Sequence, residues 1–170
     1  MVDLRSLFLE TADIPWVVGL SGGKDSTAVT MHMLETLESL PPPIRRRKKC
    51  FVTCVNTLVE APPVIGHVHD FISELRNYVR DRDLPVEVVE LSPEVDQTFW
   101  VNLIGRGYPT PVREFRWCTD RMKIRPQQRF IQENTDVFGD PPIVHFLLGT
   151  RYDESVSRQR TIEAHTRRGT

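Results

Sequence analysis

The stretch Ser21-Gly22-Gly23-Lys24-Asp25-Ser26 has the residue types and spacing for holding a phosphate-sized anion. Two glycines let the backbone turn tightly without the penalty of a Cβ. Lys24 adds a positive charge on a mobile stem. Such a loop works only between a strand and a helix, because a helix N-terminus offers an anion free N–H groups and the positive end of a dipole. The flanks have that form. Trp16 to Leu20 reads as a buried strand, and Ala28, Val29, Met31, Met33, Leu34 and Leu37 mark the apolar positions of a following helix, with Ser26 or Asp25 as its cap.

The elements that must position the loop follow from the rest of the pattern. Lys49 to Val55, Val86 to Leu91 and Ile143 to Leu148 read as further strands. Pro63 to Arg82 has the period of a helix, Gln97 to Ile104 predicts a short one, and Pro126 to Asn134 predicts one started by proline. This alternation predicts an α/β fold, a Rossmann-like parallel sheet wound by right-handed crossovers with helices on both faces. Ligands in such sheets gather beyond the carboxyl ends of the strands.

With 170 residues, 39% hydrophobic and 26% charged, the chain has the length of one domain of roughly 100 to 200 residues, so 1–170 reads as a single nucleotide-binding domain. Its end, Arg167-Arg168-Gly169-Thr170, reads as a helix cut off rather than a finished domain. No apolar run approaches the roughly 18 residues of a membrane span, and Met1 to Glu10 lacks the apolar core of a signal peptide. Three cysteines, Cys50, Cys54 and Cys118, are too few for a disulfide framework and fit a reducing compartment, so a cytoplasmic location is expected. The formal charge of −1 gives no overall pull toward nucleic acid, but Arg45-Arg46-Arg47-Lys48-Lys49 is an unbroken basic run, read as a solvated loop or a nucleic-acid contact.

Other segments fall at strand ends. Asn56 and Thr57 follow the second strand, either as nucleotide contacts or as a polar turn. Gly149-Thr150-Arg151 follows the fourth, with Asp153, Glu154 and Ser155 behind it; the fork of Arg151 suits phosphate, unless it is a surface residue at a helix start. Gly105 to Pro111, with two glycines and two prolines, is expected to be an irregular loop covering the site. Cys118 stands among Arg116, Arg121 and Lys123, either as a sulfur nucleophile or metal ligand or as a buried small hydrophobe. His67 and His69, two apart on a helix, do not share a ligand face.

The order Ser-Gly-Gly-Lys-Asp-Ser does not have the Walker A form, which needs four residues between its first glycine and Gly-Lys-Ser/Thr. It resembles instead the PP-loop of ATP pyrophosphatases. Joined to Asn-Thr-Leu-Val-Glu, Gly-Arg-Gly-Tyr-Pro-Thr-Pro, Arg-Trp-Cys-Thr-Asp-Arg-Met-Lys-Ile and Gly-Thr-Arg-x-x-Glu-Ser, it makes the chain from about Trp16 to Arg160 similar to the PAPS-reductase-like branch of the adenine nucleotide alpha hydrolase-like fold. Within that branch it looks like the DNA phosphorothioation sulfurtransferases of the DndC type, with the related SspD. The resemblance implies ATP and Mg²⁺ as cofactors and DNA as the acceptor. ATP would activate a non-bridging phosphate oxygen as an adenylate, releasing pyrophosphate, and persulfide sulfur from a cysteine desulfurase partner would replace that oxygen, beside other DNA-modification subunits. It implies that Ser21, Gly22, Gly23, Lys24, Asp25 and Ser26 hold pyrophosphate, with Asp25 placing the magnesium ion. Asn56 and Thr57 would lie near the adenosine, Gly149 and Arg151 at the phosphates, and Arg116, Cys118, Arg121 and Lys123 on the acceptor side. Lys24, Asp25, Cys118, Arg121 and Lys123 are then the expected catalytic set, and Arg113, Arg116, Arg121, Lys123 and Arg125 the expected DNA channel.

The sequence departs from this family where Asn56 stands in place of its usual acid, and in cysteine number. DndC-type proteins carry a four-iron cluster on several cysteines; four ligands are not found here, so no iron–sulfur cluster is expected in this chain. Two alternatives stay open: a relative of PAPS or adenylylsulfate reductases, which place a catalytic cysteine near the C-terminus, and an ATP-binding assembly subunit without turnover.

Overall fold

The computed structural model describes residues 3–11, 13–112, 114–151 and 156–168. Four strands, β1 (Trp16–Leu20), β2 (Cys50–Val55), β3 (Val86–Leu91) and β4 (His145–Leu148), form one sheet in the order β3-β2-β1-β4, with every pairing parallel. The α/β class and the four strands are those that the alternation predicts. β1 is central, and the chain reverses its direction of travel across the sheet between β1 and β4. That reversal makes a crevice at the carboxyl edge, where open α/β sheets hold ligands.

The helices are α1 (Leu4–Glu10), α2 (Lys24–Ser39), α3 (Pro42–Arg45), α4 (Pro62–Asp81), α5 (Trp117–Thr119), α6 (Arg125–Glu133), α7 (Thr135–Phe138) and α8 (Val156–Arg168). Because successive strand residues point to opposite faces, β1 serves two cores. Trp16, Val18 and Leu20 face Phe8 of α1, Met33, Leu34 and Leu37 of α2, and Ile72, Leu75 and Val79 of α4. Val17 faces the other way, with Phe51 of β2 and Phe138 of α7, against Phe130 and Ile131 of α6. Burial on both faces explains why β1 and β2 read as continuous apolar runs rather than alternating ones. No helix among the described residues is long and apolar enough to cross a membrane.

Three readings need correction. The fourth strand begins at His145 rather than Ile143, because its first partner on β1 is Trp16 and nothing pairs beyond it. The helix expected over Gln97 to Ile104 is broken into a 3-10 turn (Val95–Gln97) and a π-helical turn (Val101–Gly105). Asn102 is fully buried there, its Nδ2 donating to Thr98 O at 2.8 Å and its Oδ1 accepting from Arg106 at 3.3 Å.

The third concerns the basic run, which is not a uniformly solvated loop. Pro42–Arg45 forms the short α3, and Lys48 is only 3% exposed. Its Nζ donates to the carbonyl of Phe8 and, at 3.2 Å, to that of Thr11, both at the C-terminal end of α1, where carbonyls lack helical partners. It also lies 5.8 Å from the centre of the Phe8 ring. Burial holds the Lys48 pKa below its ordinary value. Arg46 and Arg47 stay on the surface, pairing with Asp83 at 4.0 Å and Asp13 at 3.5 Å. The run precedes β2, at the amino edge of the sheet, opposite the crevice.

Candidate functional site

The glycine loop leaves β1 at Leu20 and turns at Gly22, whose φ of 74° lies in the left-handed region that favours glycine. Gly23, extended at φ −85° and ψ 160°, is the N-cap of α2. Ser26 and Asp25 therefore do not cap the helix, as the sequence suggested; both lie inside its first turn. Ser26 is nearly buried and closes the loop instead. Its Oγ accepts from Ser21 N at 3.1 Å, lies 3.0 Å from Ser21 Oγ, and donates to Gly23 O at 2.9 Å. Thr27 N donates to Gly23 O, so the amides of Lys24, Asp25 and Ser26 precede the first helical hydrogen bond and are available to an anion.

Gly149, at the end of β4, touches this turn. A Cβ at Gly149 would lie 2.5 Å from the carbonyl carbon of Asp25 and 2.6 Å from Ser26 N, closer than any side chain permits. On the far side, α4 presses Val68 to within 3.1 Å of the corresponding point on Gly22. The loop is thus clamped between β4 and α4.

Beside the loop lies a cavity of about 620 Å³, a size suited to a nucleotide. Ser21, Ser26, Thr57, Lys123, Gly149 and Thr150 supply polar walls, and Phe146, Leu148, Ile124 and Ile131 an apolar floor. A second cavity of about 330 Å³ adjoins it, sharing Ser21, Val55, Glu60 and Lys123 and adding Gly23, Asn56, His69 and Glu90. Asn56 is engaged in its own turn: its Oδ1 accepts from Leu58 N at 3.0 Å and its Nδ2 donates to Glu90 at 3.3 Å. Thr57 Oγ1 donates to Glu60 at 3.0 Å. Lys24 is exposed at the start of α2. Asp25 and Arg151 meet each other, Arg151 Nε lying 2.9 Å from Asp25 Oδ2.

Sequence reasoning gave Glu60 no role beyond its place in Asn-Thr-Leu-Val-Glu and passed over Gln128 and Arg158; all three line these cavities. Gln127, Gln128 and Ile131 of α6 share a helix face, and that spacing was the available signal. Arg113, Asp153, Glu154 and Ser155 lie outside the described residues.

The acceptor-side residues divide. Lys123 reaches both cavities, and Thr119, next to Cys118, lines the larger one. Arg116 is exposed. Arg121 turns elsewhere: its guanidinium donates to Gln97 Oε1 and, at 2.7 Å, to Tyr108 Oη, and lies 5.0 Å from the centre of the Tyr108 ring. The expectation that the loop Gly105 to Pro111 covers the site is corrected by the same contacts. Tyr108 packs edge-on against Trp117, and Trp117 Nε1 donates to Pro109 O at 2.9 Å, so the loop lies on α5 and lines neither cavity beside Ser21. Arg121 borders a third cleft, of about 430 Å³, with Arg125 and Arg129. Those two are balanced by Asp120 at 2.8 Å and Glu94 at 2.9 Å, which leaves that cleft little charge for an anion.

Cys50 and Cys54 are buried on β2, and burial pushes their thiols up to about 12 and about 11. Cys118 is only half-buried. Among the described residues no three His, Cys, Asp or Glu side chains form a group suited to a metal ion. Asp25 nevertheless has the chemistry for magnesium, which is held through one or two carboxylates together with the phosphates of its ligand.

Fold and site together describe an α/β protein with a glycine loop and a helix N-terminus beside a cavity at the carboxyl edge of its central strand. No family model matches the chain. An uncharacterized protein of Methanocaldococcus jannaschii is 27% identical over 151 residues, 89% of this chain and 26% of that protein, so the chain spans about a quarter of this curated relative. Among solved structures it is similar to the U34-tRNA thiolase NcsA from Methanococcus maripaludis with its 4Fe-4S cluster, at a TM-score of 0.47 and 16% identity, covering 94% of this chain and 49% of that one.

Two predictions follow from the clamp and the thiols. Gly149→Ala should lower stability by about 2–3 kcal/mol, because backbone must move to admit the methyl group, whereas Gly66→Ala, in open space within α4, should raise it by up to about 1 kcal/mol; denaturant midpoints measure both. In graded alkylation at neutral pH with peptide mapping, Cys118 should react first, and Cys50 only on unfolding. The reverse order would make Cys118 a packing residue.

Proposed function

We propose that this chain is an ATP pyrophosphatase that adenylates a backbone phosphate of DNA for sulfur incorporation, acting in the cytoplasm with a cysteine desulfurase as sulfur source. The observation that carries the reading is the start of α2, where Ser26 of the first turn and Ser21 of the preceding loop line the nucleotide-sized cavity. The resemblance of Ser21 to Ser26 to a PP-loop supports the choice of bond cleaved.

The first-turn amides and Lys24 hold the β and γ phosphates, so that charge building on the leaving pyrophosphate meets donors already in place. A non-bridging oxygen of the DNA phosphodiester attacks the α-phosphorus; the bond to the α,β-bridging oxygen breaks, and pyrophosphate departs with that electron pair. Lys123, reaching both cavities, and the exposed Arg116 supply positive charge where the acceptor must lie. Asp25 would hold magnesium, which supplies charge neutralisation along the phosphates when bound. Arg151, paired with Asp25 at 2.9 Å, would bring its guanidinium to the phosphates.

The products should be AMP and pyrophosphate, and quantifying both with and without DNA tests the reading most directly. Lys24→Ala and Asp25→Ala should each lower their formation by about 100-fold or more with the circular-dichroism spectrum unchanged. ADP and orthophosphate as the main products would reject it. DNA should approach the carboxyl edge. Arg116→Gln and Lys123→Gln should each reduce the slope of log affinity against log salt by about one unit, while Arg46→Gln and Arg47→Gln, at the amino edge, should leave it unchanged. The opposite pattern would place the DNA on the other edge.

A further inference from the structure

One acid at the site has no part in this scheme. Glu60 lines both cavities at their junction, together with Ser21 of the phosphate loop. Its Oε1 accepts from Thr57 Oγ1 at 3.0 Å, and Thr57 is 2% exposed, so the carboxylate is tethered to the end of β2. A carboxylate in that position repels phosphate oxygens and suits hydrogen-bond donors on the ligand. ATP offers two sets, the ribose hydroxyls and the adenine amino group. Ser21 and Glu60 face the same two cavities, so Glu60 stands near the phosphate end of a bound nucleotide, where the ribose is, and the amino group lies at the far end of the nucleoside. Asn56, the other polar side chain at this strand end, is occupied by Leu58 and Glu90.

Resting on the nucleotide reading above, we infer that Glu60 accepts hydrogen bonds from the ribose hydroxyls of ATP and sets the preference for ribonucleotides, with Thr57 as its positioning residue. Glu60 is exposed, so the discrimination rests on the charge-assisted hydrogen bond that a deoxynucleotide cannot make.

The test is equilibrium binding of ATP, 2′-deoxyATP, 3′-deoxyATP and inosine triphosphate to the full chain. The wild type should bind ATP roughly 10- to 100-fold more tightly than at least one deoxynucleotide, and inosine triphosphate about as well as ATP. Glu60→Ala should weaken ATP to the level of that deoxynucleotide without changing the latter, bringing their ratio near one. Thr57→Val should shrink the ratio and Thr57→Ser restore it, a rescue that a purely packing role would not produce. A ratio unchanged in Glu60→Ala overturns the inference. So does loss of discrimination against inosine triphosphate alone, which would assign Glu60 to the base, or a weakened magnesium dependence with the ribose ratio intact. If the wild type binds no ATP, the nucleotide reading fails and this inference with it; the wild-type measurement therefore separates the two failures.

Discussion

No side-chain carbon fits between the end of β4 and the first turn of α2, and the geometry of the site depends on that contact. Gly149 brings one backbone against another at Asp25 and Ser26. The parallel pairing of β4 with β1 sets the height of Gly149, and β1 sets the height of the loop, so the two meet because their strands share a register from Trp16–His145 to Gly19–Leu148. Gly19 belongs to the same constraint, for a Cβ there would press to 3.2 Å from Leu148. A phosphate loop needs amides fixed in direction, and fixed amides need neighbours that leave no slack.

The two cores supply that rigidity. Even-numbered residues of β1 join α1, α2 and α4, and Val17 joins the α6 and α7 side, so the strand carrying the loop is held from above and below. The aromatic group of Phe51, Phe130 and Phe138, with ring centres 5.3 to 5.7 Å apart, fastens α6 and α7 to the sheet. This packing brings Gln127, Gln128 and Ile131 to the wall of the larger cavity. The chemistry is polar, but its walls are placed by apolar contacts.

Much of this was legible in the sequence, and the reason differs by element. β1 and β2 stood out because burial on both faces gives short, dense apolar runs, and the edge strand β3 because its valines are interleaved with glutamates. The loop stood out because few sequences need two adjacent glycines before a lysine. The helix cap was misread because Ser and Asp are the usual caps, whereas here the hydroxyl of Ser26 is used three residues later to tie the loop together. α1 was not marked in the sequence, although Asp3 caps it by accepting from Arg5 N at 3.0 Å and from Ser6 Oγ at 2.7 Å; at seven residues it has too little period to show. The direction of Arg121 was hidden for another reason. A run of bases gives charge but not aim, and Gln97 and Tyr108, 24 and 13 residues away, decide where that guanidinium goes.

The buried ammonium of Lys48 reaches beyond the local fold. It joins the last carbonyls of α1 to the residue two places before β2, across 40 residues of chain. If α1 peeled away, Lys48 would exchange two carbonyl acceptors for water, and Phe8 would lose its place against Trp16 in the core. The first helix is therefore fastened to the central sheet at its C-terminal end by Lys48 as well as by Phe8. One lysine links a seven-residue helix to the chain 40 residues further on.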